Sequence, residues 1–327
     1  MSESSVMQIS DFDEHFRLVP PLQAMHFDLG EGRTLSVDCL RLDKIHPFIS
    51  GNKWYKLKHH IQAASLAGKS RLLSFGGAHS NHLHALAFAG KKLQFQTIGV
   101  VRGEAPKVLT PTLQDCVDWG MSLQWLSRRD YRNIAPLECI NDYSKKYSDT
   151  WIIPEGGASD QGALGIQELF SDLSAAGYVN HDLIACPVGS GATLAGIVNA
   201  KLKSAGGAYV HCIGFSALKG AYDLESRVAS HLAESCQDFA RRTANSWQIS
   251  HDYHFGGFAK INSRLTDFIS NVHQKQGILL DPIYTGKMLY GLLEWAHQGR
   301  FKPSARILVV HTGGLQGWRG FGDKAPK

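Results

Sequence analysis

Short apolar runs rich in β-branched residues recur along the chain, and most end in glycine or serine. They are RLLSFGG at 71–77, FQTIGVV at 95–101, TWIIPEGG at 150–157, DLIACPVGS at 182–190, VHCIGFS at 210–216 and RILVVHTGG at 306–314. Between them lie longer stretches whose apolar positions recur at helical spacing, such as WYKLKHHIQAASLAGK, NHLHALAFAGKKL and TGKMLYGLLEWAHQG. Strand, glycine turn and helix in repetition predict an α/β protein with mostly parallel sheet and helices on both faces. Ligands in such folds bind outside the carboxyl ends of the strands. The residues that follow each strand are therefore the ones to read for chemistry. No internal repeat, low-complexity tract or linker divides the chain. Its 327 residues exceed one comfortable core, so two lobes are expected.

Composition narrows the class. Apolar residues make up 43% and charged residues 19%, ordinary for a globular protein. The formal net charge of +5 is spread without a run of five like charges, so nucleic acid is not an expected partner. The six cysteines stand far apart with no CxxC pair, which argues against zinc-ribbon and thioredoxin chemistry and suits a reducing compartment. The start, MSESSVMQISDFDEHF, lacks the basic and apolar regions of a signal peptide, and no apolar run reaches the roughly 18 residues of a membrane span. A cytoplasmic protein is expected, with no membrane partner.

Five segments carry candidate chemistry. In CPVGSGATLAG a buried strand runs into Gly189, Ser190, Gly191, Ala192 and Thr193 and then into a helix of small residues. Converging N–H groups, a helix N-terminus and two hydroxyls make an anion cradle suited to one phosphate. The GK[ST] ending of a nucleotide loop and the glycine spacing of a dinucleotide fingerprint are both absent. The bland alternative is a tight strand-to-helix turn. SFGGAHSNHLHALA repeats the strand-glycine-helix form and presents Ser80 and Asn81, either of which could cap the helix. His79, His82 and His84 do not share a face and no carboxylate or thiolate completes a set, so no metal site is expected. LLDPIYTGKMLYG breaks at Asp281-Pro282 and places Tyr284 at a helix mouth; VVHTGG places Thr312 at a strand end.

The fifth segment, SGNKWYKLK, holds Lys53, Lys56 and Lys58. Alone it reads as a solvated basic helix start. Lys53 and Lys56, three apart, share a side, whereas Lys58 turns away and is expected in solvent. An amine that traps an aldehyde must be partly neutral, which burial and a neighbouring cation favour. A lysine of that kind together with a phosphate cup is what pyridoxal 5'-phosphate requires.

ISGNKWYKLK, GGAHSNHLHALA, VGSGATLAG, DPIYTGK and HTGG, in that order, resemble the pyridoxal-phosphate enzymes of the 1-aminocyclopropane-1-carboxylate deaminase and D-cysteine desulfhydrase group, with the tryptophan synthase β-like fold. The resemblance covers about residues 17 to 320. It implies a larger cofactor-binding domain from 1–53 and 158–327, a smaller lobe, 54–157, that closes over the site, and a homodimer. Lys53 matches the lysine that binds the cofactor as a Schiff base and moves the α-proton, and Lys56 matches a lysine supporting the phosphate. Asn81 matches the partner of the ring oxygen, and Gly189 to Thr193 the phosphate loop. Ser80, Asn81 and His82 would face the substrate, Tyr284 the ring and the substrate, and Ser80 and Tyr284 would be catalytic beside Lys53. Thr312 would contact the cofactor.

The chain also departs from the group. Thr285 and Thr312 replace an acidic residue and a leucine of the deaminase pattern, as in the desulfhydrase branch. Phe258, at the substrate loop, stands where a tyrosine is usual, and Ala259 and Ile261 where glycine and proline are usual. The acidic pair usual after a basic residue is reduced in LRLDKIHP. The implied reaction is a lyase cleavage of a small amino acid with a β-leaving group, D-cysteine first, giving pyruvate, sulfide and ammonia. The alternatives are cyclopropane deamination, β-replacement of the cysteine-synthase kind (whose SxKDR motif is missing here) and a cofactor- or metabolite-binding protein without turnover.

Overall fold

The computed structural model describes residues 19–134, 147–203, 210–232, 246–302 and 304–324. Cys139 and Cys236 lie outside them; Cys39, Cys116, Cys186 and Cys212 are buried thiols.

The strands form two sheets. The first begins with a hairpin of β1 (Leu22–Gly30) and β2 (Arg33–Arg41), paired antiparallel from Leu22↔Leu40 to Gly30↔Arg33. The sequence reading passed over this hairpin, although its Gly-Glu-Gly turn is a strong local signal. β3 (Arg71–Gly76), β4 (Gln96–Arg102), β5 (Ser122–Leu126) and β6 (Thr150–Ile153) form a wholly parallel sheet in the order β5-β4-β3-β6. The chain then returns through β7 (Leu183–Val188), β8 (His211–Ser216), β9 (Trp247–Ser250) and β10 (Ile307–His311). These complete the six-stranded sheet β1-β2-β10-β7-β8-β9, parallel apart from the hairpin. Every residue of β7 and β10 is buried, as strands covered on both faces must be. The six apolar runs read from the sequence are β3, β4, β6, β7, β8 and β10.

Helices cover the sheets. They are α1 (Lys53–Leu66), α2 (Asn81–Leu93), α3 (Pro111–Asp118), α4 (Arg128–Ile134), α5 (Asp160–Ala175), α6 (Ala192–Lys203), α7 (Leu224–Ser230), α8 (Ser263–Gln276) and α9 (Thr285–His297). One apolar cluster runs from Leu42 and Trp54 through Leu83 and Phe170 to Val188 and Ile197, joining both sheets across α1, α2, α5 and α6. A second packs α8 and α9 on the far face of the larger sheet, through Phe215, Ile269, Leu289 and Trp295. Among the described residues, no helix is long and apolar enough to cross a membrane.

Gly51 lets the start of α1 meet the end of β10. A Cβ there would lie 1.8 Å from the Thr312 carbonyl oxygen, and its φ of +77° favours glycine independently. Asn52 N–H donates to that carbonyl at 3.3 Å. The lysines of α1 are thus brought to the carboxyl edge of the larger sheet.

Candidate active site

Lys53 and Lys56 open α1 with no acidic residue in its first turn. Cations there oppose the helix dipole, and Lys56 is also 4% exposed. Burial lowers the Lys53 ammonium to about 8, against a smaller upward pull from Asp281. Burial, and then the Lys53 charge, hold Lys56 well below the usual lysine range. The pressure expected on Lys53 from its neighbour therefore falls on Lys56. Whichever amine sheds its proton first feels the remaining charge and adds none in return.

Each amine is tied to the glycine turn after β7. Lys56 Nζ donates to Ser190 Oγ at 3.2 Å. Lys53 Nζ donates to Asn52 Oδ1 at 2.5 Å, and Asn52 Nδ2 to Thr193 Oγ1 at 2.8 Å. Asn52, 5% exposed, is a residue the sequence reading missed: it looked like a helix lead-in, and its partner lies 141 positions away. Ala192 and Thr193 open α6, whose first N–H groups have no intrahelical acceptor. The cup therefore offers donors from a helix end, two hydroxyls and an ammonium.

Lys58 differs from the solvated lysine expected. Its Nζ lies 2.5 Å from Glu168 Oε2 on α5, with 15% of its side chain exposed. The packing of α1 on α5 brings that carboxylate over, which local spacing could not disclose.

At the end of β3, Ser80 caps α2, accepting from Leu83 N at 3.2 Å. Its own proton remains available to donate. Asn81 sits beside Gly314, where a Cβ would lie 2.9 Å from Asn81 Nδ2. His82 Nε2 is 2.9 Å from Ser74 Oγ, which donates to Ile153 O at 2.8 Å. Ser74 has one proton, so His82 donates to it and keeps the Nδ1 lone pair. Burial, then Lys56 and Lys53, hold the imidazole neutral. The three histidines serve separate ends: His84 Nδ1 meets the Phe48 carbonyl at 3.2 Å and its Nε2 Asp115 at 3.2 Å, and His79 packs on Gly320. Among the described residues no cluster suits a metal ion.

Tyr284 precedes α9. A Cβ at Gly189 would lie 2.9 Å from its Cε1, so the ring borders the cup. Burial, then Asp281 and Glu155, push its phenol upward, which keeps it protonated. Phe258 stands edge-on to Tyr284 with centroids 6.1 Å apart. Asp281, treated in the sequence only as a chain break, caps α9: its carboxylate accepts from Ile283 N at 2.9 Å, Tyr284 N at 2.8 Å, Thr285 N at 2.7 Å and Thr285 Oγ1 at 2.6 Å. An Asp that bonds its own backbone two residues on is a turn signal that could have been read. The Thr285 hydroxyl, in place of the acidic residue of the deaminase pattern, directs its proton to Asp281 and accepts from Asp281 N at 2.8 Å. Thr312 lies at the end of β10, 7% exposed, beside Gly51.

The polar atoms left over fit pyridoxal phosphate. Asn81 Oδ1 and His82 Nδ1 are buried without a partner, and His82 feels the charges of Lys56 and Lys53. The donor set at Ser190, Thr193 and Lys56 suits a phosphate, and Lys53 supplies the amine.

This fold and this donor set define a two-sheet pyridoxal-phosphate enzyme. The profile of the family described as pyridoxal-phosphate dependent enzyme matches residues 35–313, and the chain belongs to that family. A Pyrococcus furiosus protein assigned as a 1-aminocyclopropane-1-carboxylate deaminase is 32% identical over 84% of both chains. The mitochondrial bifunctional D-cysteine desulfhydrase/1-aminocyclopropane-1-carboxylate deaminase of Arabidopsis thaliana is 28% identical over 82% of this chain and 70% of its own. The crystal structure of an ACC deaminase homologue superposes with a TM-score of 0.75 at 26% identity, covering 94% of this chain and 93% of that one. The expected fold, cofactor and deaminase/desulfhydrase resemblance stand on these likenesses.

Proposed function

We propose that the protein is a lyase that removes a β-substituent and ammonia from a small amino acid, with D-cysteine the first substrate to try. D-Cysteine and water would give pyruvate, hydrogen sulfide and ammonia. The bound cofactor supplies an electron sink that acidifies the substrate α-carbon. Lys53 Nζ, depressed to about 8, is the base that moves the α-proton near neutral pH. Lys56, Ser190 and Thr193 hold the phosphate, and Asn81 donates to the ring oxygen. Ser80 and the His82 lone pair orient the substrate's polar ends, while Tyr284 and Phe258 flank its side chain. Residues 54–157 form the smaller lobe, which closes over the site.

The observation that carries this choice is at α9. Thr285, a hydroxyl, follows Tyr284, and the nearby Asp281 carboxylate is occupied by four donors of its own turn. A hydroxyl beside a carboxylate already engaged in this way offers a ring nitrogen a weaker partner and so a weaker electron sink, which suits expulsion of a good leaving group more than ring opening. The runner-up, deamination of 1-aminocyclopropane-1-carboxylate to 2-oxobutyrate and ammonia, is favoured by the activity in the names of the Pyrococcus and Arabidopsis relatives. Purified holoenzyme given each compound, with D- and L-amino acid controls, separates the two. Pyruvate with sulfide is expected; 2-oxobutyrate as the main product would replace the first reading with the second.

A further inference from the structure

Lys287 lies in the first turn of α9 and is 1% exposed. A buried ammonium at a helix N-terminus is disfavoured by desolvation and by the dipole. Its Nζ donates not to a carboxylate but to a backbone carbonyl, Gly257 O, at 2.8 Å. That carbonyl also accepts Lys260 N at 3.1 Å. Gly257 closes a turn in which Phe255 (φ +51°), Gly256 (+94°), Gly257 (+117°) and Ala259 (+55°) are left-handed. Two non-glycine residues at positive φ are uncommon and persist only where their surroundings hold them.

The residue after Gly257 is Phe258. The residue is 46% exposed, so no core locks it in place, yet its ring stands against Tyr284. Tyr284 and Lys287 are three residues apart at the start of one helix. One helical turn thus carries the aromatic partner of Phe258 and the ammonium that anchors the peptide just before it.

We propose that Lys287 is a positioning residue for substrate selection: through Gly257 it fixes the 254–260 turn and so places the Phe258 ring as the outer wall of the substrate pocket. The proposal rests on the reading of Tyr284 and Phe258 as the flank of the amino-acid site. Burial lowers the Lys287 ammonium to about 8, against an upward pull from Asp281, so the anchor remains largely charged at neutral pH.

The test compares holoenzymes of the wild type, Lys287→Met, Phe258→Ala and the double variant, with D-cysteine and 1-aminocyclopropane-1-carboxylate as probes. Lys287→Met is expected to retain bound cofactor and its absorbance, to raise KM about tenfold, and to change kcat less than about threefold. Phe258→Ala is expected to act alike, and the double variant to be no worse than either, because the ring is already displaced. An unchanged KM, or effects that multiply, would overturn the proposal even if thermal stability fell. Should Lys287→Met fail to accumulate, Gly257→Ala disturbs the contact from the other side. A Cβ there meets Lys219 Cβ at 3.2 Å with φ at +117°, and the same KM rise is expected; its absence overturns the proposal. Hydrogen exchange over 254–260 reads the anchor with no substrate: exchange should quicken there in Lys287→Met and not in α9, and equal exchange would overturn it. A wild type whose spectrum responds to no amino acid would sink the proposed function and leave this last measurement decisive for the anchor.

Discussion

Two helix starts meet at the candidate site, and they are built oppositely. α1 begins with two lysines, Lys53 half-buried and Lys56 buried, and no acid. α6 begins with glycine, serine, alanine and threonine, and carries no charge in its first turn. Alone, the first holds too much buried positive charge and the second is an anion cup with weak neutral donors. Joined by Lys56–Ser190 and by Lys53–Asn52–Thr193, they become one site that lacks only an anion and an aldehyde. The strain in one half is relieved by the ligand that the other half is shaped to hold, as is common where function is set against stability.

The largest effect should come from removing the amine. Lys53→Ala should abolish the absorbance of covalently held cofactor and lower turnover by at least about a thousandfold, since nothing then exchanges with the substrate amine or moves its α-proton. Retention of that band would mean that Lys56 is the reacting lysine and that the roles at α1 are reversed.

The second effect is on pH. Only the free amine attacks an aldehyde. With Lys53 at about 8, capture of pyridoxal phosphate by the apoprotein, followed in stopped flow, should quicken about tenfold per pH unit below that value and level off above it. A profile still rising toward pH 10 would contradict the burial of Lys53. The sign carries into stability. Between about 8 and 10.5 the unfolded chain binds the proton better, so this group's contribution grows as pH rises through that window.

Next is Lys56→Met. Losing a charge-assisted hydrogen bond to a phosphate costs about 1.5–3 kcal/mol, or roughly ten- to a hundredfold in cofactor affinity. Without cofactor the variant should be as stable as the wild type or more so, because a strained buried amine has been replaced by an apolar chain. Denaturation with and without pyridoxal phosphate checks both halves, and a loss of stability in the apoprotein would refute the opposition drawn between the helix starts.

Much of this was legible along the chain, for a physical reason. Lys53, Lys56 and the Gly189–Thr193 cup are each set by local backbone: a helix start and a strand-to-helix turn. The parallel sheets followed from apolar runs ending in glycine, because strands buried on both faces must be continuously apolar. What escaped depends on partners far away. Asn52 acquires its role only when Thr193 arrives. Asp281 is the exception: its four bonds are local, to the turn it forms, and could have been read. Lys287 looked like any surface lysine of a first helical turn until Gly257 came beneath it.

The smallest effect concerns Lys58, two residues beyond Lys56 and of the same charge. Its partner Glu168 is also 2.9 Å from His59 Nε2, and 37% of the Glu168 side chain remains in water. Pairs this exposed contribute about 0.2–1 kcal/mol. Lys58→Ala should therefore lower stability in urea by no more than about 1 kcal/mol and leave cofactor affinity within about twofold. Three lysines in six positions would then give three separate phenotypes: loss of chemistry, loss of phosphate grip, and a slightly looser packing of α1 on α5. If Lys58→Ala weakened the cofactor as Lys56→Met does, the effect would be general positive potential at α1, and the specific contact with Ser190 would no longer explain how the two helix starts make one site.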